Sequence, residues 1–180
     1  MNRNTKMLVR SALLAALTAA GAFIKIPLGV SSITLQFFFT AMAGCLLGPL
    51  WGAASQGVYV LLGLVGLPIF TQGGGFGYVF QPTFGFLLGL IPSALVMGLL
   101  TKKSRRPLRV VLACVAGLAV LYAVGLPYMG LILNVYLGKG WSFARLLRDG
   151  MLIFLPGDAL KIAVAAILFP KLSVFFDKKQ

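Results

Sequence analysis

Apolar residues run through this chain in long stretches with few polar interruptions. From Ile26 to Thr101 there is no charged residue, and from Val110 to Gly138 there is none either. A membrane-spanning helix needs about 20 mostly apolar residues, so these two stretches alone hold several spans. The pattern predicts six apolar segments: about Met7 to Ile24, Ile33 to Leu47, Leu50 to Gly66, Thr83 to Leu100, Val110 to Val135 and Gly150 to Phe169. Gly48-Pro49 makes a tight break between the second and third. Pro127 interrupts the fifth, which reads either as one long kinked helix or as a helix with a re-entrant piece. The expectation is an all-α integral membrane protein of six transmembrane helices, in one domain covering residues 1–180.

Composition agrees: 59% of residues are hydrophobic and 11% are charged. The net charge of +13 could suggest nucleic acid, but the basic residues cluster at span ends, where they report orientation. With the N-terminus inside, the inner segments hold Arg3, Lys6, Arg10, Lys102, Lys103, Arg105, Arg106, Arg109, Lys171, Lys178 and Lys179. The outer segments hold Lys25, Lys139, Arg145 and Arg148. This bias places both termini in the cytoplasm and predicts no nucleic-acid partner. The basic start and apolar run of the first 25 residues resemble a signal peptide, but the following sequence is equally apolar, and a retained first span is expected.

Several chemistries are excluded. There is no histidine, which removes Ser-His-Asp and Cys-His catalysis and the HExxH metal motif. No phosphate-binding GxxxxGK[ST] loop is present; the one Gly-Lys pair, Gly138-Lys139, is followed by Gly140. Cys45 and Cys114 each sit in an apolar run without CxxC spacing, so free buried thiols are expected.

What remains polar inside the apolar segments is therefore informative. The chain has three acidic residues, Asp149, Asp158 and Asp177. Asp158 lies within the last apolar segment, and Lys161 follows at a spacing that puts both on one helix face. Intramembrane charge is expensive and usually marks a substrate or ion path. The pair reads as a polar site for a small ligand or as a self-neutralising ion pair that permits insertion. Pro156-Gly157 loosens the chain just before it; if a helix restarts there, Asp158 sits near its N-terminus, where an acid is favoured. Asp158 is about nine residues into the segment from outside, roughly 13 Å along the axis at helical rise. Such a site opens most easily outward.

Four amides and a threonine are further candidates: Thr34 and Gln36 in ITLQ, Gln56 in the third segment, and Gln72 and Gln81 flanking a glycine-rich run. Each suits a polar ligand or a backbone partner equally. That run, LPIFTQGGGFGYVFQP from Leu67 to Pro82, carries no charge. It is expected to fold back over the bundle as a cap, with Phe70, Phe76, Tyr78 and Phe80 available to wall an apolar cavity; the alternative is a disordered tether. The other outer connection, Gly138 to Gly150, contains WSFARLLRD, an amphipathic stretch suited to the interface with Trp141 as anchor. In the first segment, Ala12, Ala16 and Ala20 recur every four residues, a small-residue stripe that allows close helix approach.

The runs IPLGVSSITLQ, LLGPLWGAASQGVYVLLGLVGLPIF, GGGFGYVFQPTFGFLLG and FLPGDALK resemble the biotin-binding S component of energy-coupling factor (ECF) transporters, the BioY family. The resemblance covers about residues 8 to 170. It implies a six-helix membrane protein of the prokaryotic cell membrane that takes biotin from outside. It further implies a transmembrane coupling subunit and two cytoplasmic ATPases as partners, no cofactor beyond the biotin ligand, and no catalysis in this chain. Asp158 and Lys161 match the family's vitamin-contacting acid and lysine, and Ala12, Ala16 and Ala20 match its docking stripe. Gln36 and Tyr78 are added as contacts from the local reading. After the glycine run the family often has Gly-Pro-Thr-Gly-Gly-Tyr, whereas this chain has Gln81-Pro82-Thr83-Phe84-Gly85-Phe86. Its members also place an asparagine in that region, and none lies between Gln72 and Gln81; Gln72, Gln81 or backbone would supply that contact.

Two other readings compete. A proton-coupled carrier would use Asp158 as its proton site, but such carriers usually show internal repeats and none is evident. An intramembrane enzyme would use Asp158 and Lys161 as acid and base, without a second carboxylate in any span.

Overall fold

The computed structural model describes residues 2–28, 31–102 and 106–177. Lys103, Arg105, Lys178 and Lys179, used above for orientation, lie outside the described residues. The helices are α1 (Arg3–Phe23), α2 (Gln36–Leu47), α3 (Pro49–Leu64), α4 (Phe84–Thr101), α5 (Pro107–Leu131), α6 (Phe143–Leu147) and α7 (Leu155–Asp177). Four stretches are long and apolar enough to cross a membrane: Arg3–Phe23, Phe84–Thr101, Pro107–Tyr136 and Phe143–Val174. By contrast α2 has 12 residues and α3 has 16, shorter than a full span at 1.5 Å per residue. The first five predicted segments fall within four residues of α1 to α5, whereas the sixth, Gly150 to Phe169, begins five residues before α7 and ends eight before α7 does. The fifth is one helix with Pro127 inside it, followed by a single π-helical turn from Ile132 to Tyr136.

The hydropathy pattern does not announce one element. Between α1 and α2 the chain forms an antiparallel hairpin, β1 (Lys25–Leu28) with β2 (Ser31–Thr34), in the register Lys25↔Thr34 and Leu28↔Ser31. The bundle is all-helical as expected, with this two-stranded ribbon as an addition.

Burial follows helical periodicity on α1. Ser11, Leu14, Ala15, Thr18 and Ala22 face inward, spaced three or four apart as one face requires. They pack on α2 and α3. The outward face carries Ala12, Ala16 and Ala20, all exposed. Where α2 meets α4, the backbones touch: a Cβ at Gly44 would lie 2.5 Å from the Ala94 carbonyl oxygen, so no larger residue fits that crossing. Further on, α4 packs along α5, and α7 packs against α2 and α5.

Polar groups on α1, α2 and α3 are tied to one another. The Gln56 amide reaches Thr40 on α2 (2.9 Å) and Thr18 on α1 (3.3 Å), and all three residues are fully buried. Ser55 donates to the Ser11 carbonyl at 2.9 Å. Gln56 thus serves as a structural brace between helices. Cys45 and Cys114 are buried free thiols.

Both of these connections, Leu67 to Pro82 and Gly138 to Gly150, are packed. In the first, Phe70 is buried and meets Tyr59 of α3 and Tyr78 edge-on or tilted, with ring centroids 5.5 and 4.7 Å away. Tyr78 continues to Phe84 and Phe84 to Tyr128 of α5. Gly74 is tucked so closely that a Cβ would lie 2.0 Å from the Leu67 carbonyl oxygen. The run Phe76–Phe80 forms a short 3-10 turn. A disordered tether is therefore not what this connection is. In the second, Leu146 of α6 packs on Met129 and Leu133, and Arg145 lies 4.2 Å over the Trp141 ring.

Candidate ligand cavity

The polar pair of the last helix is buried in the bundle and faces a cavity. Asp158 stands in the first turn of α7, as the Pro156-Gly157 break suggests, where the helix dipole favours negative charge by up to ~2 kcal/mol. Asp158 and Lys161 are 4% and 8% exposed. Lys161 Nζ donates to Asp158 Oδ1 at 2.7 Å. The Tyr122 hydroxyl of α5 donates to Asp158 Oδ2 at 2.6 Å. Each carboxylate oxygen thus has one protein donor and one lone pair left for another, and the ammonium keeps two further N–H groups.

The cavity has a volume of about 100 Å3 and opens to the outside of the bundle. Asp158, Lys161 and Tyr122 form one part of its wall. The rest comes from the hairpin, α2, the glycine-rich connection and α4, and most of it is apolar, with Phe37, Phe86, Leu87 and Leu90 contributing.

Of the other residues singled out in the sequence, Thr34, Gln36 and Tyr78 line this cavity. The Gln36 amide nitrogen donates to Tyr59 at 2.8 Å, and its oxygen accepts from Thr34 at 2.9 Å. The Tyr78 hydroxyl lies 2.8 Å from Thr71 Oγ1. Gln72 and Gln81 do not line it. Phe70 and Gly73 pair backbone to backbone, which puts Gln72 at the exposed tip of a tight turn. Gln81 follows the 3-10 turn, its N–H bound to the Tyr78 carbonyl, and is half-buried away from the cavity. Phe76 and Phe80 are exposed and Phe70 is buried under the connection; of the four aromatics only Tyr78 reaches the cavity wall. Lys25 of β1 donates to the Thr71 carbonyl, tying the hairpin to the connection.

Sequence reasoning misses Tyr122, Thr71, Ser31 and Thr83, all of which line the cavity. Tyr122 carries the best signal of the four, being a polar-tipped residue in a charge-free helix.

The BioY family model matches residues 1–178. The chain belongs to the BioY family. It is 44% identical over 176 residues to a probable biotin transporter BioY of Lysinibacillus sphaericus, covering 97% of this chain and 90% of that one. It is 35% identical over 164 residues to the biotin transporter BioY of Thermotoga maritima, covering 91% and 93%. Among solved structures, the S-component for biotin from an ECF-type ABC transporter superposes with a TM-score of 0.82 at 28% identity, covering 96% of this chain and 94% of that one. A BioY protein is a membrane transport component, and the long apolar helices and charge-poor bundle described above fit that setting.

Proposed function

We propose that this chain binds biotin and serves its uptake as the substrate-specific S component of an ECF-type transporter. The observation that carries the reading is the buried Asp158–Lys161–Tyr122 cluster opening into a largely apolar cavity. Biotin has a fused bicyclic core with a urea, and an apolar tail ending in a carboxylate. Asp158 accepts from a urea N–H. Lys161 donates to the urea carbonyl or to the carboxylate. Gln36 and Tyr78 extend the wall around the rings and tail. No bond is made or broken in this chain.

In the full transporter, α1 to α5 and α7 serve as six membrane-crossing helices, with both termini cytoplasmic in a prokaryotic plasma membrane. Work comes from a coupling subunit and two cytoplasmic ATPases. The exposed alanines Ala12, Ala16 and Ala20 supply the docking face; beside them an apolar groove runs between α1 and α3, lined by Phe23, Val58 and Leu62. The Leu67 to Pro82 connection acts as a lid over the cavity.

Equilibrium binding of biotin to the detergent-purified chain tests the reading. Binding tighter than about 1 μM, near −8 kcal/mol, is expected, and its absence sinks the assignment. Ala16→Trp tests the docking face: uptake and co-purification with the coupling subunit should fall to background while biotin binding stays at parent level.

A further inference from the structure

One buried hydroxyl stands behind the cavity wall without lining it. Tyr59 of α3 is 0% exposed and is not part of the ligand cavity. Its oxygen lies 3.1 Å from the Ile69 carbonyl oxygen and 2.8 Å from Gln36 Nε2. Gln36 does line the cavity, and so does Thr34, whose Oγ1 is 2.9 Å from Gln36 Oε1. These residues come from β2, α2, α3 and the glycine-rich connection, so the relay joins separate elements of the fold.

The order of donors along the relay is set from one end. A carbonyl only accepts, and a tyrosine hydroxyl has a single proton to give. With that proton given to Ile69, the Tyr59 oxygen can only accept from Gln36. The amide therefore meets Tyr59 with an N–H, and its oxygen turns to Thr34. Thr34 does not decide the matter, because its hydroxyl can donate or accept. Take away the Tyr59 hydroxyl and the amide is free to turn over, exchanging its oxygen and its nitrogen at the cavity wall. In either orientation Gln36 keeps one uncommitted N–H and one uncommitted lone pair, but in opposite order.

We infer that Tyr59 is a positioning residue for the ligand: it holds the Gln36 side-chain amide in one of its two orientations. A polar ligand then meets the amide donor and acceptor in a single order, and the cost of ordering the side chain is met before binding. This deepens the proposed function and rests on its reading of the ligand as biotin. The role belongs to the hydroxyl and not to the ring. The ring packs edge-on to Phe70 with centroids 5.5 Å apart, and Tyr59→Phe keeps a ring in that place.

The test is a double-mutant cycle read in biotin affinity. Dissociation constants are measured on the detergent-purified parent, on Tyr59→Phe, on Gln36→Leu and on the double variant. Tyr59→Phe should weaken biotin about fivefold in the parent, a loss of about 1 kcal/mol. Where Gln36 is already leucine, the same change should cost less than about twofold, because residues of one network are not additive. Gln36→Met takes the place of Gln36→Leu if that variant does not fold. A structural role alone would lower affinity by the same factor in both backgrounds, and that result overturns the inference. Parent-like affinity in Tyr59→Phe or in the Gln36 variant overturns it too. A parent that binds no biotin overturns the biotin reading itself, so the two failures are distinct.

Discussion

The bundle holds two buried polar clusters that differ in one respect. Around Gln56, residues of α1, α2 and α3 hydrogen-bond to one another, and none of Thr18, Thr40 and Gln56 lines the ligand cavity. Around Asp158, residues of α5 and α7 are bonded to one another on one side and open to a cavity on the other. The first cluster is closed and braces helices. The second has acceptor and donor capacity left over, facing a largely apolar cavity. In a bundle with so few polar groups, that leftover capacity separates a candidate binding site from a brace.

The strongest way to break this contrast is at the charged pair. Asp158→Asn and Lys161→Ala should each weaken biotin binding at least tenfold, more than about 1.4 kcal/mol, because each leaves a buried charge without its partner. Isothermal titration of the variants reads this directly; parent-like affinity in both would make the pair a brace too. Gln56→Leu should do the reverse. It should lower the thermal stability, by about 1–3 kcal/mol for the hydrogen-bonding capacity lost at Thr18 and Thr40, and leave the affinity of the folded fraction unchanged. A loss of affinity exceeding the loss of stability would merge the two clusters. The smallest effect is expected from Tyr122→Phe. It removes one donor to Asp158 and should cost about 1 kcal/mol of biotin affinity, a several-fold change in the dissociation constant. No change at all would remove Tyr122 from the site.

The charged pair is legible in the sequence because charge inside an apolar segment has no bland background to hide in. Helix positions are legible for the same reason, as are breaks such as Gly48-Pro49. Tyr122 is hidden because a tyrosine in a uniformly apolar helix reads as one more large side chain, and only the α5–α7 packing brings it to Asp158. Ser31 is hidden because strands of four residues with Pro27 among them leave no usable period. Gln72 shows the opposite error. Its amide is near the site in sequence, but the tight turn between Phe70 and Gly73 directs it outward.

The cavity wall draws on residues from Ser31 to Lys161, gathered from the hairpin, the glycine-rich connection and the helices α2, α4, α5 and α7. A molecule held there clasps segments from both halves of the chain. It therefore acts as a reversible cross-link of the tertiary structure. Ligand at a hundred times its dissociation constant adds about 2.7 kcal/mol to the folded state by mass action. The empty protein should melt early and gain heat resistance with each increment of vitamin, so that a melting curve alone reports occupancy.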